Sequence, residues 1–269
     1  AYEERDMMFE ITGNIIYLNY RKFIEQQIRL MGITEDSDHY RTQYEVQWVL
    51  ERGQFITYDN LMKLEEDYQI YDEYGSAIKC YGGIDWGKIH DSTVFTVVDA
   101  DCRILGWYEF LGDDYNSQIE QIAAITKHKY DGMKKINVDS TGTQDMALDM
   151  LQSTFSRYAI PSALEGINFA THKDAMYKNL SRLMHDVIVK DKVFKSSTLR
   201  FPRNYLDNIK KEKFITQFIN LQKEIKNEKW SCHHPEGPQY HDDYTDSIAL
   251  ACYNFKPKQI QDAARFMIV

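Results

Sequence analysis

The stretch that decides the fold runs from Lys79 to Gly112 and reads 79-KCYGGIDW-86, 92-STVFTVVDA-100 and 102-CRILGWYEFLG-112. Each of the three segments is rich in the β-branched and aromatic residues that favour strands. Only a short turn, Asp99 to Cys102, separates the second segment from the third. Because consecutive strands on short connections pair with each other, the stretch predicts a three-stranded antiparallel meander.

After the meander the pattern changes to an alternation of helix and strand. Ile119, Ile122 and Ile125 have the spacing of a buried helical stripe, which predicts a helix over 116–130. We then predict a strand in KKINVDS (134–140), a helix over 143–155, a strand over 163–167 and a helix over 172–187. Such alternation continues a sheet in parallel. The expected fold is α/β, with an antiparallel three-strand meander and parallel strands in one mixed sheet flanked by helices.

The segments on either side of this region are expected to be mainly helical. Apolar residues at steps of three and four predict a helix over 17–31 and another over 61–71. A last helix is expected over 242–255, whereas the polar and basic stretch 202–229 favours neither a helix nor a hairpin. We therefore predict a mostly helical N-terminal appendage (1–74), an α/β domain (75–256) and a C-terminal tail (257–269).

Composition limits the classes of function. With 269 residues, 43% of them hydrophobic, the chain can bury a sizeable core. No run approaches the roughly 20 apolar residues that cross a bilayer, so a soluble intracellular protein without membrane contact is expected. The net charge of −9 does not favour binding of nucleic acid by bulk electrostatics, so DNA contact would need a local basic patch. The four cysteines lack the close spacing of zinc ligands and are expected to be reduced core thiols.

Five aspartates form the most informative pattern. Asp85 and Asp139 each end a predicted strand, in GGIDWG and INVDSTG. Asp242, Asp243 and Asp246 open the last helix, where spacings of three and four place them on roughly one side of its first turn. A single strand-end aspartate is most often a turn or cap residue, and Asp242 alone is a candidate N-cap. Packing does not require the whole set, which favours a functional site.

Clustered carboxylates have a chemical use. They repel one another unless a cation neutralises them, and hard oxygen ligands select Mg²⁺ or Mn²⁺. Two such ions, about 4 Å apart, can activate a water on one side of a phosphate and stabilise the leaving oxygen on the other. The aspartates therefore indicate a site that binds two ions of Mg²⁺ or Mn²⁺ and hydrolyses phosphodiester bonds.

Three segments also resemble a known family. GIDWG (83–87), INVDSTGT (136–143) and HDDYTDSIALA (241–251) closely resemble the acidic motifs of the RNase H-like nuclease domain in phage-type terminase large subunits. HYRTQYEVQWVLERGQFIT (39–57) resembles the end of the packaging ATPase that precedes this nuclease. The resemblance implies catalytic metal ligands at Asp85, Asp139 and Asp243. Asp246 would be a further ligand by similarity to RuvC-type resolvases, and Asp242 completes the acidic set.

The resemblance also implies an activity and partners. The chain would be an endonuclease that cleaves double-stranded viral DNA during genome packaging, in the cytoplasm of the infected bacterial host. Its partners would be the terminase ATPase domain, the small terminase subunit and the portal protein. No phosphate-binding loop of the form G-x-x-x-x-G-K-[ST] occurs, so this chain alone is not expected to hydrolyse ATP. We accordingly expect a C-terminal piece of a longer polypeptide.

Several basic residues are candidates for contact with DNA phosphates. Lys88 and His90 follow Asp85 in a loop, and Lys173 begins a helix beside the expected site. The most basic run supplies four more candidates: Arg203, Lys210, Lys211 and Lys213. His241 directly precedes the acidic helix and is a candidate for a supporting position around the metal. An ordinary solvated residue is the alternative interpretation of each.

Other functions remain open at this point. The Gly-Ile-Asp-x-Gly string also occurs in the phosphate loop of actin-like ATP-binding phosphotransferases, although no second glycine-rich phosphate motif is visible. A RuvC-type Holliday-junction resolvase would share the fold and the acidic last helix. A structural docking module with an inactive site is the non-enzymatic alternative, which the filled aspartate positions disfavour.

Overall fold

A computed structural model describes residues 52–87, 92–112, 114–142, 144–189, 192–195, 197–226, 229–235 and 241–256. The helix predicted over 17–31, the ATPase-like segment up to residue 51, Lys88, His90 and the tail from 257 lie outside the described residues. In chain order the described elements are β1 (Arg52–Gln54), α1 (Tyr58–Met62), β2 (Glu65–Glu66), β3 (Cys80–Asp85), β4 (Thr93–Asp99), β5 (Ile104–Phe110), α2 (Tyr115–Lys129), β6 (Met133–Asp139), α3 (Gln144–Arg157), β7 (Ala163–Ile167), α4 (Phe169–Met184), β8 (Val187–Val189), β9 (Lys192–Lys195), β10 (Phe201–Pro202), α5 (Asn208–Asn220), β11 (Gln222–Lys226), β12 (Lys229–His233) and α6 (Asp243–Ala251).

The main sheet contains five strands in the order β5-β4-β3-β6-β7. Strands β3, β4 and β5 are antiparallel neighbours, as expected for a meander. Strand β6 then pairs parallel with β3, and β7 pairs parallel with β6. The mixed sheet predicted from the sequence is confirmed.

The two faces of this sheet are covered by different helices because side chains alternate between the faces along each strand. Ile84, Phe95 and Val138 belong to an apolar cluster with α2 and α3. Val94, Val98 and Trp107 belong to a second cluster, with α4, α5 and α6. Asp85 and Asp139 directly follow residues of the first cluster, so they lie on the face that carries α6.

Helix α6 lies unusually close to β3. A Cβ atom added at Gly83 would come within 2.0 Å of the Ser247 carbonyl oxygen and 2.3 Å of the Ala251 nitrogen, so only glycine fits. Two buried polar contacts fix the same interface: Thr96 Oγ1 and Ser247 Oγ are 2.7 Å apart, and Asn137 Nδ2 donates to the Leu250 carbonyl at 2.8 Å. These contacts determine where the first turn of α6 lies relative to the strand ends.

Residues 52–74 pack on the same core as the α/β domain. Strand β1 pairs with β11 in a small sheet completed by β12, and β2 pairs with β10. Phe55, Ile56, Leu61 and Leu64 are buried in the cluster that includes α4, α5 and α6. The domain boundary at residue 74 stays a prediction, although this segment shares a hydrophobic core with the residues that follow it.

Several element predictions are wrong in detail. The helix expected over 61–71 is instead the short α1, which ends at Met62 and is followed by β2, so the described part of the appendage is not mostly helical. Thr57 fixes the start of α1 because its side chain accepts a hydrogen bond from the Asn60 amide. The stretch 202–229 contains both alternatives, a helix (α5) followed by strand β11 of a hairpin.

The remaining expectations about the chain concern its thiols and its apolar helices. The four cysteines are buried and unpaired by disulfides, as predicted. Among the described residues, no helix is both long and apolar enough to span a membrane.

Candidate functional site

Asp85 and Asp139 end neighbouring parallel strands. The pairing of β3 with β6 runs in register up to Ile84 and Val138, so the next residue of each strand is one of the two aspartates. Both side chains are on the α6 face and are at most 9% exposed. Strand carboxyl ends in α/β sheets are where ligand sites collect.

The first turn of α6 supplies the other carboxylates. Gly83, two residues before Asp85, contacts Ser247, so the preceding turn of α6 extends toward the ends of β3 and β6. Asp243 and Asp246 are 8% and 4% exposed. Asp242 is at the N-cap position, but its side chain makes no capping hydrogen bond. Its presence is therefore not explained as a helix cap, which was the simplest alternative interpretation of this residue.

The Asp139 side chain is oriented by a local turn. The amide and hydroxyl of Thr141 both donate to Asp139 Oδ1, at 3.0 and 2.6 Å. The Thr141 hydroxyl oxygen in turn accepts from the Phe169 amide at 2.9 Å, at the start of α4. Asp139 thus has both roles considered for it, since it forms a turn and also contributes to the carboxylate cluster.

Asp246 is held by two side chains from α4. Tyr177 donates its hydroxyl to Asp246 Oδ1 at 2.5 Å, and Lys173 Nζ lies 2.9 Å from Asp246 Oδ2. Lys173 Nζ also lies 3.4 Å from Asp242 Oδ2. The structure therefore brings Lys173 to the acidic cluster, as predicted. The role of Tyr177 was not predicted, although its position one turn after Lys173 on the same helix face could have indicated it.

The pKa shifts indicate that these carboxylates influence one another. Burial, followed by the charges of Asp246, Asp243 and Asp139, holds the pKa of Asp85 well above its usual range. Burial also raises the pKa of Asp246 to about 6, although Lys173 and the Tyr177 hydroxyl act in the opposite direction. Burial and neighbouring carboxylates thus disfavour the charged forms of Asp85 and Asp246, and a cation bound beside them would relieve this cost.

The donor set suits a hard divalent cation, but it is not a preformed cage. Carboxylate oxygens are the ligands that Mg²⁺ and Mn²⁺ prefer. Within the part of the chain that the structure describes, no three histidine, cysteine, aspartate or glutamate side chains are arranged as a ready-made metal-binding group.

The basic run predicted as a DNA contact has its charges paired with acids. Lys211 and Arg203 both bind Glu65, at 2.6 and 3.4 Å. Lys213 binds Glu109 at 2.7 Å, and Lys210 lies 3.3 Å from Asp207. The structure does not show any of the four in contact with the aspartate cluster. Their role in DNA binding stays a prediction.

Two further residues, His241 and Gln217, lie near the start of α6. His241 directly precedes Asp242 and is partly buried. Its supporting role around a metal stays a prediction. Gln217 of α5 accepts a hydrogen bond from the Tyr244 amide at 2.8 Å and so caps the helix in place of Asp242. This role of Gln217 has no signal in the sequence, because the contact joins two residues 27 positions apart in different helices.

The sheet order and the helices on both faces define a mixed α/β fold that carries aspartates at the ends of two neighbouring strands. No protein-family profile and no curated protein matches the sequence. Solved structures do match it in fold, among them several from phage large terminases.

Three of these structures are of phage large terminases or their nuclease domains. The nuclease of thermophilic phage G20c, solved with bound magnesium, matches with a TM-score of 0.54 and 18% identity, over 74% of this chain and 95% of that one. The nuclease domain of Thermus phage P74-26 matches with a TM-score of 0.52 and 17% identity, over 74% and 94%. The bacteriophage HK97 large terminase matches with a TM-score of 0.54 and 12% identity, over 75% of this chain and 43% of its own. The chain has the fold of these nuclease domains, as its motifs predicted.

Proposed function

We propose that this protein is a metal-dependent endonuclease that cleaves double-stranded viral DNA during genome packaging. The main support for the proposal is that the carboxyl ends of β3 and β6 lie beside the first turn of α6. Asp85 and Asp139 end neighbouring strands beneath the first turn of α6, where Asp243 and Asp246 are also buried. The fold shared with terminase nucleases supports the same conclusion. The expected setting is the cytoplasm of the infected host, with the ATPase domain, small terminase subunit and portal protein as partners.

Asp85, Asp139 and Asp243 would hold the divalent cations, with Asp246 and Asp242 as additional acidic groups. The charge surplus that raises the pKa of Asp85 supports this assignment, and a nuclease of the same fold binds magnesium, cobalt or zinc in its solved structures. When bound, two Mg²⁺ or Mn²⁺ ions would supply an activated water and stabilise the leaving oxygen of the phosphate.

The protein's own side chains would orient the metal ligands and balance part of their negative charge. Thr141 fixes the Asp139 carboxylate through two hydrogen bonds to one oxygen, and this keeps a ligand in place before substrate arrives. Lys173 supplies a positive charge beside Asp246 and Asp242. Lys88 and His90 follow β3 and, with the basic run from Arg203 to Lys213, are the proposed contacts to the DNA backbone, where contacts position the duplex without reading its sequence.

Plasmid cleavage with Mn²⁺ or Mg²⁺ tests the proposal. We expect the wild-type chain to nick and linearise the plasmid. Asp85→Asn, Asp139→Asn and Asp243→Asn should each lose activity by more than about a hundredfold, since even residues that only support metal ligands contribute roughly 10- to 100-fold. The matched control is Asp131→Asn, an exposed aspartate just before β6, at the strand end opposite to Asp139.

The same assay separates the alternatives. If all variants cut like the wild type, the site is wrong. Preference for a four-way junction over linear duplex would favour a RuvC-type resolvase, and nucleotide binding without cleavage would favour an actin-like phosphotransferase.

A further inference from the structure

Lys173 is placed differently from the other lysines that form ion pairs in the described residues. Its amino group lies 2.9 Å from Asp246 and 3.4 Å from Asp242, between the N-terminal parts of α4 and α6. The same group lies 5.5 and 5.6 Å from the ring centroids of Phe169 and Tyr177. Two carboxylates and two aromatic rings therefore stabilise one ammonium group beside the proposed metal site.

The charge of Lys173 is permanent at physiological pH. A lysine is ordinarily charged at neutral pH, and the two carboxylates at 2.9 and 3.4 Å favour the charged form of Lys173 further. Lys173 is therefore a cation whenever the neighbouring carboxylates are charged. It already performs, for two of the five aspartates, the neutralisation that a metal ion would perform.

Asp246 is already engaged by two side chains. Tyr177 binds one of its carboxylate oxygens and Lys173 binds the other. Each oxygen keeps a second lone pair that could bind a divalent ion, but an ion at Asp246 would be repelled by the ammonium group of Lys173. Like charges at such distances disfavour each other by an amount that is largest in buried surroundings.

We propose that Lys173 is an internal counter-cation that competes with a divalent metal ion for Asp246 and Asp242, and that a DNA phosphate relieves the competition by drawing Lys173 away. This inference rests on the proposed function of the site. It makes Lys173 a positioning residue that couples the binding of metal to the binding of DNA.

A phosphate is the ligand that the chemistry of Lys173 selects. An ammonium group on a flexible four-carbon stem binds phosphate as a point charge and can turn toward it without a fixed geometry. The Lys173 side chain is 29% exposed, so a backbone phosphate can reach it, whereas Asp246 is only 6% exposed in its side chain. Exchange of a carboxylate for a phosphate keeps Lys173 paired throughout, while its charge no longer opposes a metal ion at Asp246.

Calorimetric titration with MnCl₂ tests the inference without measuring cleavage. We expect Lys173→Met to bind Mn²⁺ about tenfold more tightly than the wild type, within the usual range of coupling between two sites. Lys173→Arg keeps the charge and should bind like the wild type. The matched control is Lys178→Met, because Lys178 is on the same helix and has a side-chain exposure of 31%, but is paired with Asp174. Circular dichroism confirms that each variant is folded.

A short linear duplex with phosphorothioate linkages, which resist cleavage, provides the second measurement. It should tighten Mn²⁺ binding by the wild type and have a much smaller effect on Lys173→Met. If folded Lys173→Met binds Mn²⁺ no more tightly than the wild type, the counter-cation role is wrong. If the duplex tightens binding equally in both, the exchange with phosphate is wrong.

These results are separable from those of the proposed function. Cleavage that depends on Asp85 and Asp139, together with an unchanged metal affinity in Lys173→Met, would overturn only this inference. Absence of Mn²⁺ binding in every protein would overturn both proposals.

Discussion

The aspartate cluster and the basic run from Arg203 to Lys213 are both concentrations of charge, but they are organised in opposite ways. In the basic run each cation has an acidic partner close by, such as Glu65 for Lys211 and Glu109 for Lys213. In the aspartate cluster Lys173 lies within ion-pair distance of two of the five carboxylates, those of Asp246 and Asp242. The four cations of the first group are each paired with an acid, whereas in the second group burial and neighbouring carboxylates raise the pKa of Asp85.

This difference indicates which concentrations of charge are useful for locating a functional site. A run of like charges in a sequence indicates little, because the fold can supply opposite charges from distant segments, as Glu65 does for two members of the basic run. Buried like charges that remain unbalanced after folding cost stability, and such a cost is typical of binding sites. The aspartate cluster is therefore the better indicator of function, although the basic run is the more conspicuous feature of the sequence.

The largest expected effect is on stability, and it comes from removing one of the clustered negative charges. Asp85→Asn removes a carboxylate whose pKa is raised by burial and by four neighbouring aspartates, so the metal-free variant should be more stable than the wild type. Excess Mn²⁺, at about 100 times its dissociation constant, should stabilise the wild type by about 2.7 kcal/mol, or roughly 5–10 °C in Tm for a domain of this size. The variant should gain almost nothing from the ion.

Thermal unfolding with EDTA or with MnCl₂ measures both effects. Asp131→Asn serves again as the control, because this exposed residue is remote from the cluster along β6. A variant that is less stable than the wild type without metal would show that the cluster is balanced by groups other than those described.

The second prediction uses pH to separate the two regions. A carboxyl whose folded pKa is raised costs stability at neutral pH, and the cost disappears as pH falls and the folded protein binds a proton. Asp246, with a pKa of about 6, and Asp85 are of this kind. Glu109, beside Lys213 in the basic run, is of the opposite kind. Although burial alone would raise its pKa, hydrogen bonds from Lys213 and Ser92 lower it, so its contribution is lost only in acid.

Urea unfolding of the wild type and Asp85→Asn in EDTA, from pH 8 to pH 5, provides the measurement. Burial lowers the pKa values of His185 and His234, so their protonation also destabilises the fold over this pH range. Both proteins contain these histidines, so this contribution cancels in the difference between their free energies of unfolding. We expect the variant's advantage to be largest at pH 8 and to shrink toward pH 5. An advantage that does not change with pH would mean that Asp85 is not charged at neutral pH.

The sequence predicted the parts of the site that depend on local pattern. Strand ends follow from the alternation of apolar residues, so the places of Asp85 and Asp139 could be predicted, and the helical spacing placed Asp243 and Asp246 on one turn. The closeness of α6 to the sheet also had a signal in Gly83, since a glycine inside a strand often marks the close approach of another backbone. These features need only a few neighbouring residues to be recognised.

The missed parts depend on contacts between distant segments. Gln217 caps α6 from another helix, and Glu65 neutralises Lys211 across 146 positions. The helix predicted over 61–71 was wrong for the same reason, because pairing of Glu65 and Glu66 with β10 outweighs a local helical pattern. Propensity and spacing do not contain this information, whereas the folded structure does.

The smallest effect is expected in the basic run. Lys210→Gln removes a charge that Asp207 already neutralises at 3.3 Å, in a pair whose side chains are 28% and 42% exposed. A lysine that contacts a DNA phosphate contributes about one unit to the slope of binding against salt concentration. Although Lys210 belongs to the run proposed to contact the DNA backbone, Asp207 competes with the phosphate for its charge. We therefore expect Lys210→Gln to change that slope by less than half of this amount and to leave plasmid cleavage within about twofold of the wild type. Duplex binding measured by fluorescence anisotropy across a range of salt concentrations gives the slope. Loss of a full unit would show that Lys210 leaves Asp207 for the DNA, and the paired basic run would then resemble Lys173 in exchanging a carboxylate for a phosphate.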